Sequence, residues 1–147
     1  MSEIYFTKSE RETEQLAYDF AKENKIKSGD IVALYGDLGA GKTAFTRGLV
    51  KYFSPSSRVT SPTFSLVNEY VNQYNKKILH FDMYRIKSHE DLLSVGFYDY
   101  LDDLTEKIII IEWFDKIAGF FDENTVDIQI IKLNMDEREI IYADTRN

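Results

Sequence analysis

The chain has 147 residues, 44% of them hydrophobic and 14% aromatic, which suits one domain that buries roughly 70% of its unfolded surface. Its 18 basic and 25 acidic side chains leave a net charge of -7, which repels a phosphate backbone at long range and argues against direct, tight nucleic-acid binding. Cysteine is absent, so disulfides and thiolate metal sites are excluded, and no apolar run approaches the ~18 residues that a membrane span needs.

The opening Met1-Ser2-Glu3-Ile4-Tyr5-Phe6 lacks the basic flank and apolar run of a secretory signal, so a cytoplasmic protein with no membrane contact is expected. Ser9 and Glu12 have capping-box spacing, and Leu16, Ala17, Phe20 and Ala21 recur at helical intervals, which predicts a helix over about 10–24. Ile31 to Tyr35 is a short apolar run bounded by turn residues, as expected of a strand buried on both faces of a parallel sheet. A helix is read over 43–53, closed by Ser54-Pro55, and the polar stretch 58–65 reads as a loop. Residues 66–74 and 78–84 flank Asn75-Lys76-Lys77 and suggest a hairpin, which makes the sheet mixed. Ser88 and Asp91 would cap a short helix, and 107–112, with four consecutive isoleucines, is a second central strand. Residues 126–133 and 139–142 form a terminal antiparallel pair. With no repeat or linker, 1–147 reads as a single domain, α/β in class, with a mostly parallel central sheet, antiparallel additions and helices on both faces.

The segment Gly36-Asp37-Leu38-Gly39-Ala40-Gly41-Lys42-Thr43 fits G-x-x-x-x-G-K-[ST]. Glycines there let backbone N–H groups converge on phosphate oxygens, and the following helix adds the partial positive charge of its N-terminus. A nucleoside triphosphate with Mg²⁺ is the expected ligand: Lys42 reaches the β and γ phosphates, and the Thr43 hydroxyl serves the cation. Ala44 completes the phosphate-facing stretch. Such sites also need a carboxylate at the end of a buried strand. Asp82 ends Ile78-Leu79-His80-Phe81 and Glu112 ends Ile108-Ile109-Ile110-Ile111, and the pattern does not choose between them. His80 reads as a partly buried strand residue, since no second ligand lies at useful spacing and magnesium avoids imidazole. N-K-x-D and D-x-x-G signatures are missing, which disfavours a Ras-type GTPase. Trp113 is read as packing, with stacking on adenine as the alternative.

Five stretches together resemble the bacterial TsaE ATPases of tRNA threonylcarbamoyladenosine (t6A) biosynthesis. They are Glu12-Thr13, the glycine loop continuing through Phe45-Thr46-Arg47-Gly48, Ser61-Pro62-Thr63-Phe64, His80-x-Asp82-x-Tyr84-Arg85, and Ile111-Glu112-Trp113. The resemblance implies a P-loop NTPase fold and an ATPase that acts with TsaB and TsaD, touching tRNA only through that complex. It also implies that Thr43 and Glu112 hold magnesium and that Asp82 lies in a switch-like segment near the γ-phosphate. Thr13 and Trp113 would then lie near the nucleoside, and 61–64 would be the other switch. Arg138 resembles a C-terminal nucleotide-site feature of the family, although on sequence alone a surface salt-bridging arginine is the plainer reading. Phe114-Asp115 after the tryptophan departs from the family pattern, as does a chain that stops soon after its last strand.

Catalysis on this reading is in-line attack of water on the γ-phosphate, with Lys42, Asp82 and Glu112 as the catalytic side chains. The rivals are a small-molecule kinase built on the same loop and a nucleotide-gated interaction protein whose hydrolysis is incidental.

Overall fold

Alternation along two central strands organises the molecule. In the computed structural model, which describes residues 2–37, 39–60, 66–120 and 124–146, β2 (Ile31–Tyr35) pairs in parallel with β5 (Lys107–Glu112) and β6 (Val126–Lys132). Val32, Leu34, Ile108 and Ile110 point to one face, Ile31, Ala33, Ile109 and Ile111 to the other, and all are buried. A strand covered on both sides needs apolar residues at every position, which is why these segments read as continuous runs.

The sheet has seven strands in the order β1-β7-β6-β2-β5-β4-β3, where β1 is Ser2–Thr7, β3 Val67–Val71, β4 Lys77–Asp82 and β7 Arg138–Asp144. β4 joins β5 in parallel, while β3–β4, β6–β7 and β1–β7 are antiparallel, so a parallel centre is extended at both edges. The expected hairpin and terminal pair are both present. β1 was not anticipated: its outward residues Ile4 and Phe6 are 57% and 65% exposed, so the apolar-polar alternation that would have marked it is missing.

One face is covered by α1 (Glu10–Lys22) and α2 (Lys42–Phe53). The Ser9 side chain caps α1 by accepting from the Glu12 N–H at 3.1 Å, while the Glu12 carboxylate accepts from Lys8 N–H at 2.8 Å, one residue before the usual box partner. The helix stops at Lys22, short of the expected 24, because Asn24 turns left-handed at φ 62°. Gly48 decides how closely the two helices pack: a Cβ there would lie 2.0 Å from the Glu14 carbonyl oxygen and 2.8 Å from the Ala17 Cβ. The opposite face is covered by α3 (His89–Ser94) and by 3-10 turns at Phe97–Leu101 and Phe114–Lys116, through Leu92, Phe97 and Phe114. No helix among the described residues is long and apolar enough to cross a membrane.

Candidate functional site

The loop that follows β2 and the C-terminal ends of β4 and β5 border one cavity of about 590 Å³. Between β2 and α2 the chain must reverse tightly, and glycine permits it at both ends of the turn. A Cβ on Gly36 would come within 2.9 Å of the Ile130 carbonyl oxygen, and Gly41, the residue before α2, has φ 114°. Gly41 brings no side chain to cap the helix, so the N-terminus of α2, with its partial positive charge, borders the cavity lined by Gly39, Gly41, Lys42, Thr43 and Ala44. Such an end suits an anion.

Lys42 is only 6% exposed, and its Nζ has no hydrogen-bond partner among the described residues. It lies 3.8 Å from Glu112 Oε1 and 4.2 Å from the centroid of the Trp113 ring, so carboxylate and aromatic face together hold the ammonium. An ammonium with three donors and none of them hydrogen-bonded is an incomplete arrangement in a buried site, and phosphate oxygens would complete it. Trp113 adopts a left-handed backbone at φ 59° and packs against Tyr84 at 5.1 Å between rings. A tryptophan at positive φ is strained, and strain of this kind gathers where function fixes a side chain.

Asp82 and Glu112 are register partners across β4 and β5, and both line the cavity. Their surroundings differ. Asp82 is partly exposed and its Oδ1 accepts from the Tyr84 backbone N–H at 2.9 Å, whereas Glu112 is buried and its Oε2 lies 2.5 Å from His80 Nε2. His80 is fully buried, which corrects the sequence reading of a partly buried residue: it sits on the same sheet face as Glu112, the face that α1 and α2 cover.

The model of the family described as "Threonylcarbamoyl adenosine biosynthesis protein TsaE" matches residues 7–140. The chain belongs to the TsaE family. The tRNA threonylcarbamoyladenosine biosynthesis protein TsaE of Rickettsia typhi is 39% identical over 131 residues, 88% of this chain and 87% of that one. The Bacillus subtilis protein of the same description is 33% identical over 121 residues, 82% of this chain and 73% of its own. A crystal structure of Bacillus subtilis YdiB superposes with a TM-score of 0.73 at 28% identity, covering 99% of this chain and 86% of the other.

Among the positions that the TsaE resemblance and the glycine motif singled out, Thr13, Gly39, Gly41, Lys42, Thr43, Ala44, Asp82, Glu112, Trp113 and Arg138 line this one cavity. Gly36, Asp37 and Ala40 line a second hollow of about 510 Å³ on the other side of Trp113, which borders both. Leu38 and the segment 61–64 lie outside the described residues. Thr13 is buried, its hydroxyl 2.7 Å from that of Thr7 on β1.

Arg138 is not the surface salt-bridging arginine that its sequence neighbours suggest. Its Nε donates to the Ala40 carbonyl at 2.7 Å and Nη2 to the Gly39 carbonyl at 3.4 Å, while Nη1 donates to the Asn134 carbonyl at 2.8 Å and the Glu137 carbonyl at 3.0 Å. The guanidinium thereby ties the glycine loop to the β6–β7 turn, and the flanking acids lie off its hydrogen-bonding edge. Sequence reasoning missed Glu10, Met135 and Asp136, which also line the cavity. Glu10 could have been inferred from its place one turn before Thr13, but nothing local marks the turn residues.

Among the described residues no cluster of three His, Asp or Glu side chains could hold a metal by itself. One hydroxyl and one or two carboxylates beside an anion cradle do suit Mg²⁺, which keeps water and phosphate oxygens as its remaining ligands.

Proposed function

We propose that the chain is a single-domain, Mg²⁺-dependent ATPase of P-loop NTPase fold, spanning 1–147, that serves t6A modification of tRNA with TsaB and TsaD in the cytoplasm. The buried Lys42 ammonium, without a hydrogen bond among the described residues and placed at a helix N-terminus that Gly41 leaves without a side-chain cap, carries this reading. Family membership supports the pathway, since the relatives are named for threonylcarbamoyladenosine biosynthesis.

In this reading the loop amides and Lys42 bind the triphosphate, and Thr43 and Glu112 hold magnesium. The cation, when bound, neutralises charge on the terminal phosphates. Thr13, Trp113 and Arg138 border the nucleoside end. Asp82, partly exposed and bonded to its own turn, orients the attacking water, and Lys42 offsets the charge that spreads over the γ-phosphate oxygens in the transition state. Among the described residues Arg138 is the one arginine that lines the cavity, and its guanidinium is committed to backbone carbonyls. Turnover by the isolated chain is therefore slow, and a partner supplies the missing charge. The net charge of -7 agrees with a subunit that does not grip tRNA itself.

The test is reconstitution of t6A on unmodified tRNA with TsaB and TsaD, using wild-type and Lys42→Ala chains while following phosphate release. Modification that requires the wild-type chain, with an ATPase rate raised by the partners, is expected. An unchanged rate on adding partners, or full modification with Lys42→Ala, would count against the proposal. A phosphorylated metabolite in place of inorganic phosphate would indicate a kinase.

A further inference from the structure

His80 takes no part in the chemistry described so far, yet it is among the most completely enclosed polar side chains of the molecule, at 0% exposure. Burying an imidazole beneath a layer of helices costs free energy unless it is well bonded, and this one has a single partner among the described residues, Glu112 Oε2 at 2.5 Å. Its Nδ1 has none. A carboxylate offers only acceptors, so in this contact Nε2 is the donor. The β4–β5 register makes the contact possible: His80 lies opposite Ile110, so its side chain reaches diagonally to Glu112 on the same face. The remaining oxygen, Oε1, is the one turned toward Lys42 Nζ at 3.8 Å.

We propose that His80 is a positioning residue for Glu112. Its Nε2–H holds Oε2 against the sheet, fixes the rotamer of the carboxylate, and leaves Oε1 alone facing the cavity. Asp82, whose side chain among the described residues bonds to its own turn alone, keeps the freedom that Glu112 lacks. The proposal rests on the reading of Glu112 as the magnesium-side carboxylate. A ligand whose outer hydrogen bond is removed typically loses about 10–100-fold in metal affinity.

The experiment compares wild type with H80L, which fills the space without a donor, and H80Q, whose amide nitrogen reaches the position of Nε2. ATP binding is followed by calorimetry across a Mg²⁺ series and again in EDTA, with circular dichroism confirming the fold. H80L should need about 10–100-fold more Mg²⁺ for half-maximal tightening of ATP binding, with EDTA affinity unchanged, and H80Q should return close to wild type. If H80L does not fold, H80N, whose shorter amide stops short of Glu112, takes its place with the same expected outcome. Wild-type Mg²⁺ dependence in H80L or H80N overturns the proposal. So does H80Q behaving like H80L, or a loss that is equal with and without Mg²⁺. If the wild-type chain binds no ATP under any condition, it is the phosphate-site reading itself that fails, and this inference falls with it.

Discussion

Replacing Gly48 with alanine sets two effects of known size against each other. Alanine is the better helix former by about 1 kcal/mol in the middle of a helix, so on propensity alone the change stabilises. The structure predicts the opposite, because the added Cβ would sit 2.0 Å from the Glu14 carbonyl oxygen and 2.8 Å from the Ala17 Cβ. Carbon and oxygen ordinarily meet at roughly 3.3 Å, so α1 and α2 must part by on the order of 1 Å. The obstacle is helix backbone and a buried alanine, neither of which can rotate away, and overpacking of this kind costs about 1–3 kcal/mol. A contact this close to rigid backbone puts the cost at the upper end, about 3 kcal/mol, so a net loss of about 2 kcal/mol remains after the propensity gain, and at about 3 °C per kcal/mol for a chain of this size the melting temperature falls by roughly 6 °C. Because α1 carries Thr13 and α2 carries Lys42 and Thr43, separation also shifts opposite walls of the cavity, so nucleotide affinity falls along with stability. Scanning calorimetry with and without ATP·Mg reads both effects. A Gly48→Ala chain that melts at or above the wild-type temperature would refute the packing argument.

Arg138→Ala removes two bonds to the glycine loop, at the Ala40 and Gly39 carbonyls, and should weaken ATP binding about tenfold, the equivalent of about 1.4 kcal/mol; an unchanged Kd by calorimetry contradicts it. The Asp144 carboxyl is held down at about 2 by its hydrogen bond from Arg146. Its contribution is therefore complete above the unfolded value near 4 and is lost as pH falls from there toward 2. The Asp144 side chain is 35% exposed, so solvent limits the effect to at most about 1 kcal/mol. Urea unfolding at pH 4 and pH 2.5 should show a smaller acid loss for Asp144→Asn than for wild type, and an identical loss would remove Asp144 from the account.

The central strands and the two long helices could be read directly from the sequence, because periodicity survives wherever a whole face is buried. Ile31 to Tyr35 and the four isoleucines before Glu112 have no exposed position, while Leu16, Ala17, Phe20 and Ala21 share one helical stripe. The reading failed at the margins. β1 carries apolar residues on its open side, and the 3-10 turns at Phe97–Leu101 and Phe114–Lys116 lack a period that a short window can detect. In the site, the glycine loop declared itself by spacing, and Asp82 and Glu112 by their places at strand ends. What separates those two carboxylates is a contact between residues 32 apart, His80 to Glu112, which exists only once β4 and β5 are in register. The bonds from Arg138 to Ala40 and Gly39 span 98 and 99 positions and are invisible for the same reason.

The most direct measurement is isothermal titration of ATP into the chain with Mg²⁺ present, wild type beside Lys42→Ala. The account predicts saturable binding by the wild-type chain that is lost or weakened at least tenfold when the buried ammonium is removed from a correctly folded variant. Equal binding by both chains, or no heat from either, would contradict it.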